Sequence, residues 1–277
     1  MTQNDQKTAD AFADSWNNLP AGSVYTKEQF EDWFAPLKKV DIENKSVLEL
    51  GCGNASLLVH LANWNPLRIT GIDLGTSVDT AERNMSKLNF KNWRIIKGDL
   101  VKYRSDEGYD LVFSIGVLHH LQHPESGFES VLRNVKPGGR FHCWVYAREG
   151  NWVIINIVDR IRKIASKLPW WLTKYFIVIP LVIPYYLYAK TIKIMPPSAF
   201  LKKMPLYNYS LWIAEREFGF FRHVAFDQLV TPQTAYIGRS MIEGWLEKYK
   251  NRIKKDSIYI IFRNGNSWKF GGRKKSE

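Results

Sequence analysis

Between Ser46 and Tyr146 the chain switches repeatedly between short apolar runs and stretches with helical periodicity, and this alternation restricts the fold more than any other feature. Ser46 to Leu50, Arg68 to Asp73, Trp93 to Lys97, Tyr109 to Ser114 and Arg140 to Tyr146 read as strands. Ala55 to Asn63, Val78 to Leu88 and Glu125 to Val135 read as the helices between them, the last stopped by Pro137-Gly138-Gly139. Parallel neighbours need crossover connections, and helices supply them, so the pattern predicts an α/β fold with a doubly wound, mostly parallel sheet. Lys27 to Leu37 carries Phe30, Trp33, Phe34 and Leu37 at helical spacing and adds a helix ahead of the sheet. Near the end, Arg239 to Lys250 reads as a helix. Ile258 to Phe262 and Trp268 to Phe270 flank Asn264-Gly265-Asn266, a hairpin signature that closes the sheet with an antiparallel pair.

The first strand leads into Glu49-Leu50-Gly51-Cys52-Gly53-Asn54-Ala55. A buried strand that ends in Gly-x-Gly and turns into a helix lets backbone approach a ligand where a Cβ would clash, and it presents the free N–H groups of a helix start. Asp73 closes the second strand 22 residues after Gly51, where a carboxylate can accept both hydroxyls of a ribose. Asp99, after the third strand, can accept from an exocyclic amino group such as adenine N6. A nicotinamide dinucleotide is disfavoured. Ser56 stands where a pyrophosphate binder needs a smaller residue, and the Glu49 carboxylate repels phosphate while suiting a ligand with an ammonium and a sulfonium. Charge therefore favours S-adenosylmethionine.

These pieces, in this order, resemble the class I S-adenosylmethionine-dependent methyltransferases. The small-molecule, type 11/12-like branch is the nearest in character. The resemblance is carried by Val47 to Asn54, Gly71-Ile72-Asp73, Gly98-Asp99, Tyr109 through Leu121 and Lys136-Pro137-Gly138-Gly139. It implies a Rossmann-like core with S-adenosyl-L-methionine as cofactor. By that resemblance Glu49, Gly51 and Gly53 line the methionine part with Cys52 and Asn54 beside them. Asp73 holds the ribose, Leu74 packs on adenine, Asp99 bonds its amino group, Leu100 is a further cofactor-binding residue, and Ser114 lies near the transferred methyl. His119, His120, Asp227 and Tyr236 are the candidate catalytic residues, and a hydroxyl acceptor needs such a base. His223 is a further polar candidate. His119 and His120 also have a plain packing alternative, as Asp227 has a structural one. No metal-ligand cluster is visible in the sequence.

The expected organisation is an N-terminal lid segment over 1–44, with Phe12, Trp16 and Tyr25 in it, and a cofactor-binding core over 45–150. An apolar, aromatic insertion follows over 151–235, acting as a helical cap on the substrate, and 236–277 completes the sheet. The run Trp170 to Ala189 is nearly apolar and long enough to approach a bilayer's thickness. A single span would strand the last helix and hairpin on the wrong side, so a transmembrane reading is rejected. Two readings stay open, a lid over an apolar substrate and an element lying on an anionic membrane. The net charge of +12 is concentrated after Asn151 and favours the second.

Basic charge also raises a nucleic-acid substrate. Ser114-Ile115-Gly116-Val117 stands where base-amino methylation uses an Asn/Asp-Pro-Pro-Tyr/Phe-type motif, so RNA or DNA is the alternative and a small molecule the main reading. A non-catalytic S-adenosylmethionine-binding regulator is a second alternative. The two cysteines, Cys52 and Cys143, form no CxxC and fit a reducing cytoplasm. The polar start Met1 to Asp10 gives no expectation of a leader.

Overall fold

A computed structural model of the chain describes residues 3–17, 25–204, 206–231 and 233–276; the side chains at 3, 4, 13–17, 170, 220, 223, 227 and 230 fall outside that description. Seven strands form one sheet: β1 (Ser46–Leu50), β2 (Arg68–Asp73), β3 (Trp93–Lys97), β4 (Tyr109–Ile115), β5 (Val135–Tyr146), β6 (Ile253–Arg263) and β7 (Ser267–Lys274). Their order is β3-β2-β1-β4-β5-β7-β6. Strands β1 to β5 run parallel to their neighbours, with Glu49 opposite Gly71 and Val47 opposite Leu111. β7 is antiparallel to β5 and β6 is antiparallel to β7, so the sheet is mixed and Rossmann-like, as the strand pattern predicts. Asn264 and Gly265 take positive φ of 49° and 69° at the hairpin turn, the conformation for which Asn-Gly is suited.

The strands are apolar on both faces because both faces are covered. Leu48 and Val112 point to one side with Phe128, Val131 and Leu132 of α5 (Pro124–Asn134) and Trp245 of α11 (Arg239–Lys248). Val47 and Phe113, one residue away on the same strands, point to the other side. There they meet Phe30 and Phe34 of α2 (Lys27–Phe34), Leu58 and Leu61 of α3 (Ser56–Ala62) and Ala81 of α4 (Ser77–Ser86). The period of two in side-chain direction thus divides one sheet into two cores. α2 starts with a capping box: the Gln29 N–H donates to Thr26 Oγ1 (3.3 Å) and the Thr26 N–H donates to Gln29 Oε1 (2.9 Å).

Two boundaries differ from expectation. β5 begins at Val135, so Pro137-Gly138-Gly139 lies inside the strand; its pairing with β4 slips between Tyr109 and Leu111, and the slip absorbs the Pro-Gly-Gly. β6 begins at Ile253 and likewise slips between Lys254 and Tyr259.

Between β5 and α11 the described residues of the insertion fold as helices joined by turns. It contains α6 (Asp159–Ala165), α7 (Trp170–Leu172), α8 (Ile179–Ile194), α9 (Tyr207–Ala214) and α10 (Phe218–Val230), with π-helical turns over Ile154–Val158 and Thr173–Val178. These helices bury a small core of their own, with Val178, Val182, Ala189, Ile213, Phe221 and Leu229. The N-terminal helix α1 (Gln3–Asn17) reaches the same end of the molecule, where its Asp5 carboxylate accepts the Gln122 N–H at 3.0 Å.

Candidate functional site

β1 ends at the switch point of the sheet, where β2 lies on one side and β4 on the other, and in open α/β sheets ligands bind there. The turn that follows has positive φ at Gly51 (86°), Gly53 (51°) and Ala55 (63°). A Cβ on Gly51 would stand 2.4 Å from a Val117 methyl, so glycine is needed there for space as well as for φ. A Cβ on Gly53 would meet nothing within 4 Å, which leaves open room above the turn. Asp73 holds the turn from the β2 end. Its Oδ2 accepts the Gly53 N–H (2.8 Å), and its Oδ1 accepts the Gly75 N–H (2.9 Å) and the Ser77 hydroxyl (3.3 Å). Just ahead of α3, the Asn54 side-chain oxygen accepts the Ser56 N–H at 3.2 Å.

Glu49 is buried one residue before the end of β1, and its Oε2 has no hydrogen-bond partner among the described residues. Burial, followed by the nearby Asp73 carboxylate, holds its carboxyl well above the usual carboxylate range. An uncompensated buried carboxyl of this kind is costly unless a cation or donor arrives to pair with it. Asp99 Oδ1 accepts the Val101 N–H at 2.9 Å. The Cys52 thiol is buried and pushed up by that burial, so it stays a neutral thiol.

Glu49, Gly53, Asp73 and Asp99 open on a cavity of about 510 Å³, and Leu74 and Leu100 supply apolar wall at this end. The opposite end is aromatic and aliphatic, with Trp144, Tyr146, Tyr185, Tyr209, Trp212 and Phe221. Thr8, Ala9 and Phe12 of α1 cover part of it. The cavity therefore joins a polar, acidic part at the ends of β1 and β2 to an apolar part built by β5 and the insertion.

Residues 41–160 match the family model described as a methyltransferase domain. Over these residues the chain is similar to methyltransferase domains. The ubiquinone biosynthesis O-methyltransferase of Hydrogenovibrio crunogenus is 34% identical over 107 residues, covering 38% of this chain and 42% of the relative. The pavine N-methyltransferase of Thalictrum flavum subsp. glaucum is 33% identical over 118 residues, covering 41% and 31%. The chain thus matches less than half the length of these curated relatives. The crystal structure of magnesium protoporphyrin IX methyltransferase from Synechocystis PCC 6803 with bound SAH superposes with a TM-score of 0.54, over 95% of this chain and 94% of that one. At 13% identity this is a likeness of fold.

In the methyltransferase domain, the structure brings together nine of the ten cofactor residues expected from sequence: Glu49, Gly51, Cys52, Gly53, Asn54, Asp73, Leu74, Asp99 and Leu100 all line the cavity. Ser114 is the exception. It is fully buried, its hydroxyl donates to the Leu50 carbonyl at 2.8 Å, and it stays off the cavity wall, tying β4 to β1.

The two adjacent histidines separate. His119 is fully buried off the cavity wall, against the rings of Tyr146 (4.1 Å) and His120 (4.2 Å). Burial holds its pKa well below the usual imidazole range. His120 does line the cavity. Its Nδ1 lies 3.1 Å from the Gln233 carbonyl, which can only accept, so Nδ1 carries the proton and Nε2 is left bare. Burial pushes the His120 pKa down to about 4, so the ring is neutral at pH 7. Tyr236 also lines the cavity, stacked on Tyr146 with centroids 6.4 Å apart; burial pushes its pKa up to about 12. The side chains of Asp227, His223 and Trp16 lie outside the described residues.

Several lining residues carry no sequence signal for the site. Trp144 and Tyr146 end β5, Trp33 comes from α2, and Arg263 and Asn266 come from the closing hairpin. Arg263 is held by the Asp32 carboxylate from 231 positions away. The alternation of β5 places Trp144 and Tyr146 on one face, and that was the one usable hint.

Proposed function

We propose that the chain transfers a methyl group from S-adenosylmethionine to an apolar small molecule, with oxygen favoured over nitrogen as the acceptor atom. The observation that carries this reading is the juxtaposition in one cavity of the buried Glu49 carboxyl, whose Oε2 has no partner among the described residues, and open Gly53 with an aromatic lining. Glu49 suits the ammonium of the methionine moiety, with Gly51, Cys52, Gly53 and Asn54 around it. Asp73 faces the ribose hydroxyls, Asp99 the adenine amino group, and Leu74 and Leu100 the adenine faces. We read residues 45–150 as the cofactor core, 1–44 as a lid, 151–235 as the acceptor cap and 236–277 as sheet completion, in a cytoplasmic protein.

Bound S-adenosylmethionine supplies an electrophilic methyl on a sulfonium with a neutral leaving group, so positioning dominates the chemistry. Trp144, Tyr146 and Tyr236 hold the acceptor against the cofactor end and exclude water. His120 Nε2 accepts the proton of an acceptor hydroxyl as the oxygen is methylated. Its low basicity then returns that proton readily to solvent.

Incubation with methyl-tritiated S-adenosylmethionine and matched panels of hydrophobic phenols and amines tests the reading. We expect label in phenols, and a drop of about 100-fold in kcat for His120→Ala with cofactor affinity unchanged. Label confined to amines, with His120→Ala as active as wild type, removes the oxygen assignment and the base together.

A further inference from the structure

The long helical stretch of the insertion is apolar on two opposite sides. From Thr173 to Ile194 it is 22 residues long, enough by length and composition to cross a membrane, yet only 22% of its most apolar window is buried. One side, with Val178, Val182, Ala189 and Ile192, packs on α9 and α10. On the other side Phe176, Pro180, Ile183, Leu187 and Ile194 follow one another at spacings of three, four or seven and face outwards. Phe176 is 67% exposed, Leu187 61% and Ile194 83%. A surface helix of a soluble protein keeps a polar outer face, and a helix apolar all round belongs in a core or in lipid. Trp152, Ile164 and Phe200 are also more than half exposed in the same segment. Exposed apolar surface on this scale marks a contact site.

Charge identifies the partner. Residues 151–204 hold nine lysines and arginines and one acidic residue, Asp159, so most of the chain's net charge of +12 lies here. Asp159 is already engaged, accepting from the Arg162 guanidinium at 2.9 Å and pairing with Lys163. Apolar side chains among an excess of cations match the surface of an anionic bilayer, where acyl-chain burial and attraction to lipid phosphates add. The helix does not cross the bilayer. Its inner side is tied to the rest of the insertion by the Tyr185–Ser210 hydroxyl pair (2.8 Å), by the Tyr186 hydroxyl on the Arg216 carbonyl (2.8 Å) and by the Thr173 hydroxyl on the Ala165 carbonyl (2.9 Å). Spanning would strip those bonds and expose the insertion's core.

We infer that the outer face of the 151–204 insertion is a docking surface for an anionic phospholipid bilayer, on which the protein lies peripherally. The inference deepens the methyltransferase reading and rests on it only for its purpose. Leu181 of α8 is both cavity wall and outer surface, so the acceptor chamber and the docking face share one helix.

Cosedimentation of the full chain with vesicles tests it, using phosphatidylcholine alone and phosphatidylcholine mixed with phosphatidylglycerol. We expect binding to the mixed vesicles, weaker binding to the neutral ones, and partial release by salt. Phe176→Ser/Leu187→Ser/Ile194→Ser should lower binding at least about tenfold, because it removes the inserted apolar groups. Lys202→Glu/Lys203→Glu should remove much of the preference for anionic lipid while leaving the apolar component. Circular dichroism and S-adenosylhomocysteine titration on the same preparations show that each variant is folded. Wild type that stays in the supernatant with both vesicles overturns the inference, as does a folded triple variant that binds like wild type. Resistance to alkaline carbonate extraction overturns it in favour of a span. Absent S-adenosylhomocysteine binding in a protein that still sediments counts against the methyltransferase reading alone.

Discussion

The sheet and the insertion treat apolar side chains in opposite ways. In the sheet and the helices packed on it, every residue of β1 is buried, and aromatic residues such as Phe113, Phe128 and Phe270 are wholly enclosed. In the insertion, Phe176, Leu187 and Ile194 stand mostly in the open while a smaller core sits beneath them. A fold driven by burial leaves such a surface only where something else covers it. The sheet is therefore explained by its own packing, whereas on the proposed reading the insertion is explained by what it meets: the acceptor on its inner side and the bilayer on its outer side.

Truncations in the two regions should part most widely. Phe128→Ala, in the cluster formed by α5, α11 and β7, should cost about 3–5 kcal/mol in urea unfolding, the range for a large buried aromatic. A loss under about 1 kcal/mol would mean that the sheet core is looser than described.

An intermediate effect is expected at the cofactor end. Burial, followed by the nearby Asp73 carboxylate, raises the Glu49 pKa well above the usual carboxylate range, and a cationic ligand favours its ionised form. Below that raised pKa the free protein carries a proton that binding of a cationic cofactor must release. S-adenosylmethionine affinity should therefore rise with pH, by at most about tenfold per unit, and level off once the carboxyl is ionised. Glu49→Gln should flatten that slope. A wild-type affinity independent of pH from 6 to 8.5 would show that Glu49 does not face the ligand's charge.

The smallest effect should come from the outer face. Leu187→Ser is expected to change unfolding stability by less than about 0.5 kcal/mol, since the side chain is already in solvent. A cost comparable to that of Phe128→Ala would mean that the outer face is part of a core.

The same contrast explains what was legible in the sequence. The strands, the Gly51 to Ala55 turn and the Asn-Gly hairpin are encoded locally, by period-two apolar runs and by residues suited to positive φ, so they could be placed without a structure. The helices of the insertion could not be delimited. Helical periodicity is read from the contrast between an apolar and a polar face, and Thr173 to Ile194 has no such contrast. His119 and His120 are neighbours in sequence, and only the Gln233 carbonyl and the Tyr146 ring decide which of them meets the cavity. Ser114 sits where the family's order of motifs suggests a ligand, but its hydroxyl is taken by Leu50 of the adjacent strand. Arg263 reaches the wall through a hairpin that closes more than two hundred residues after α2, which no local pattern announces.

The central claim is that the carboxyl ends of β1 and β2 bind S-adenosylmethionine through Asp73, with the insertion serving the acceptor. Calorimetric titration of S-adenosylhomocysteine into wild type and Asp73→Ala tests it most directly, with NADH as the control ligand. The account predicts binding to wild type, no heat from NADH, and a loss on the order of 2–4 kcal/mol in the variant, because a charge-assisted acceptor for the ribose is removed. Tight NADH binding, or equal S-adenosylhomocysteine affinity in a folded Asp73→Ala, would contradict it and leave Asp73 with its role in the glycine turn alone.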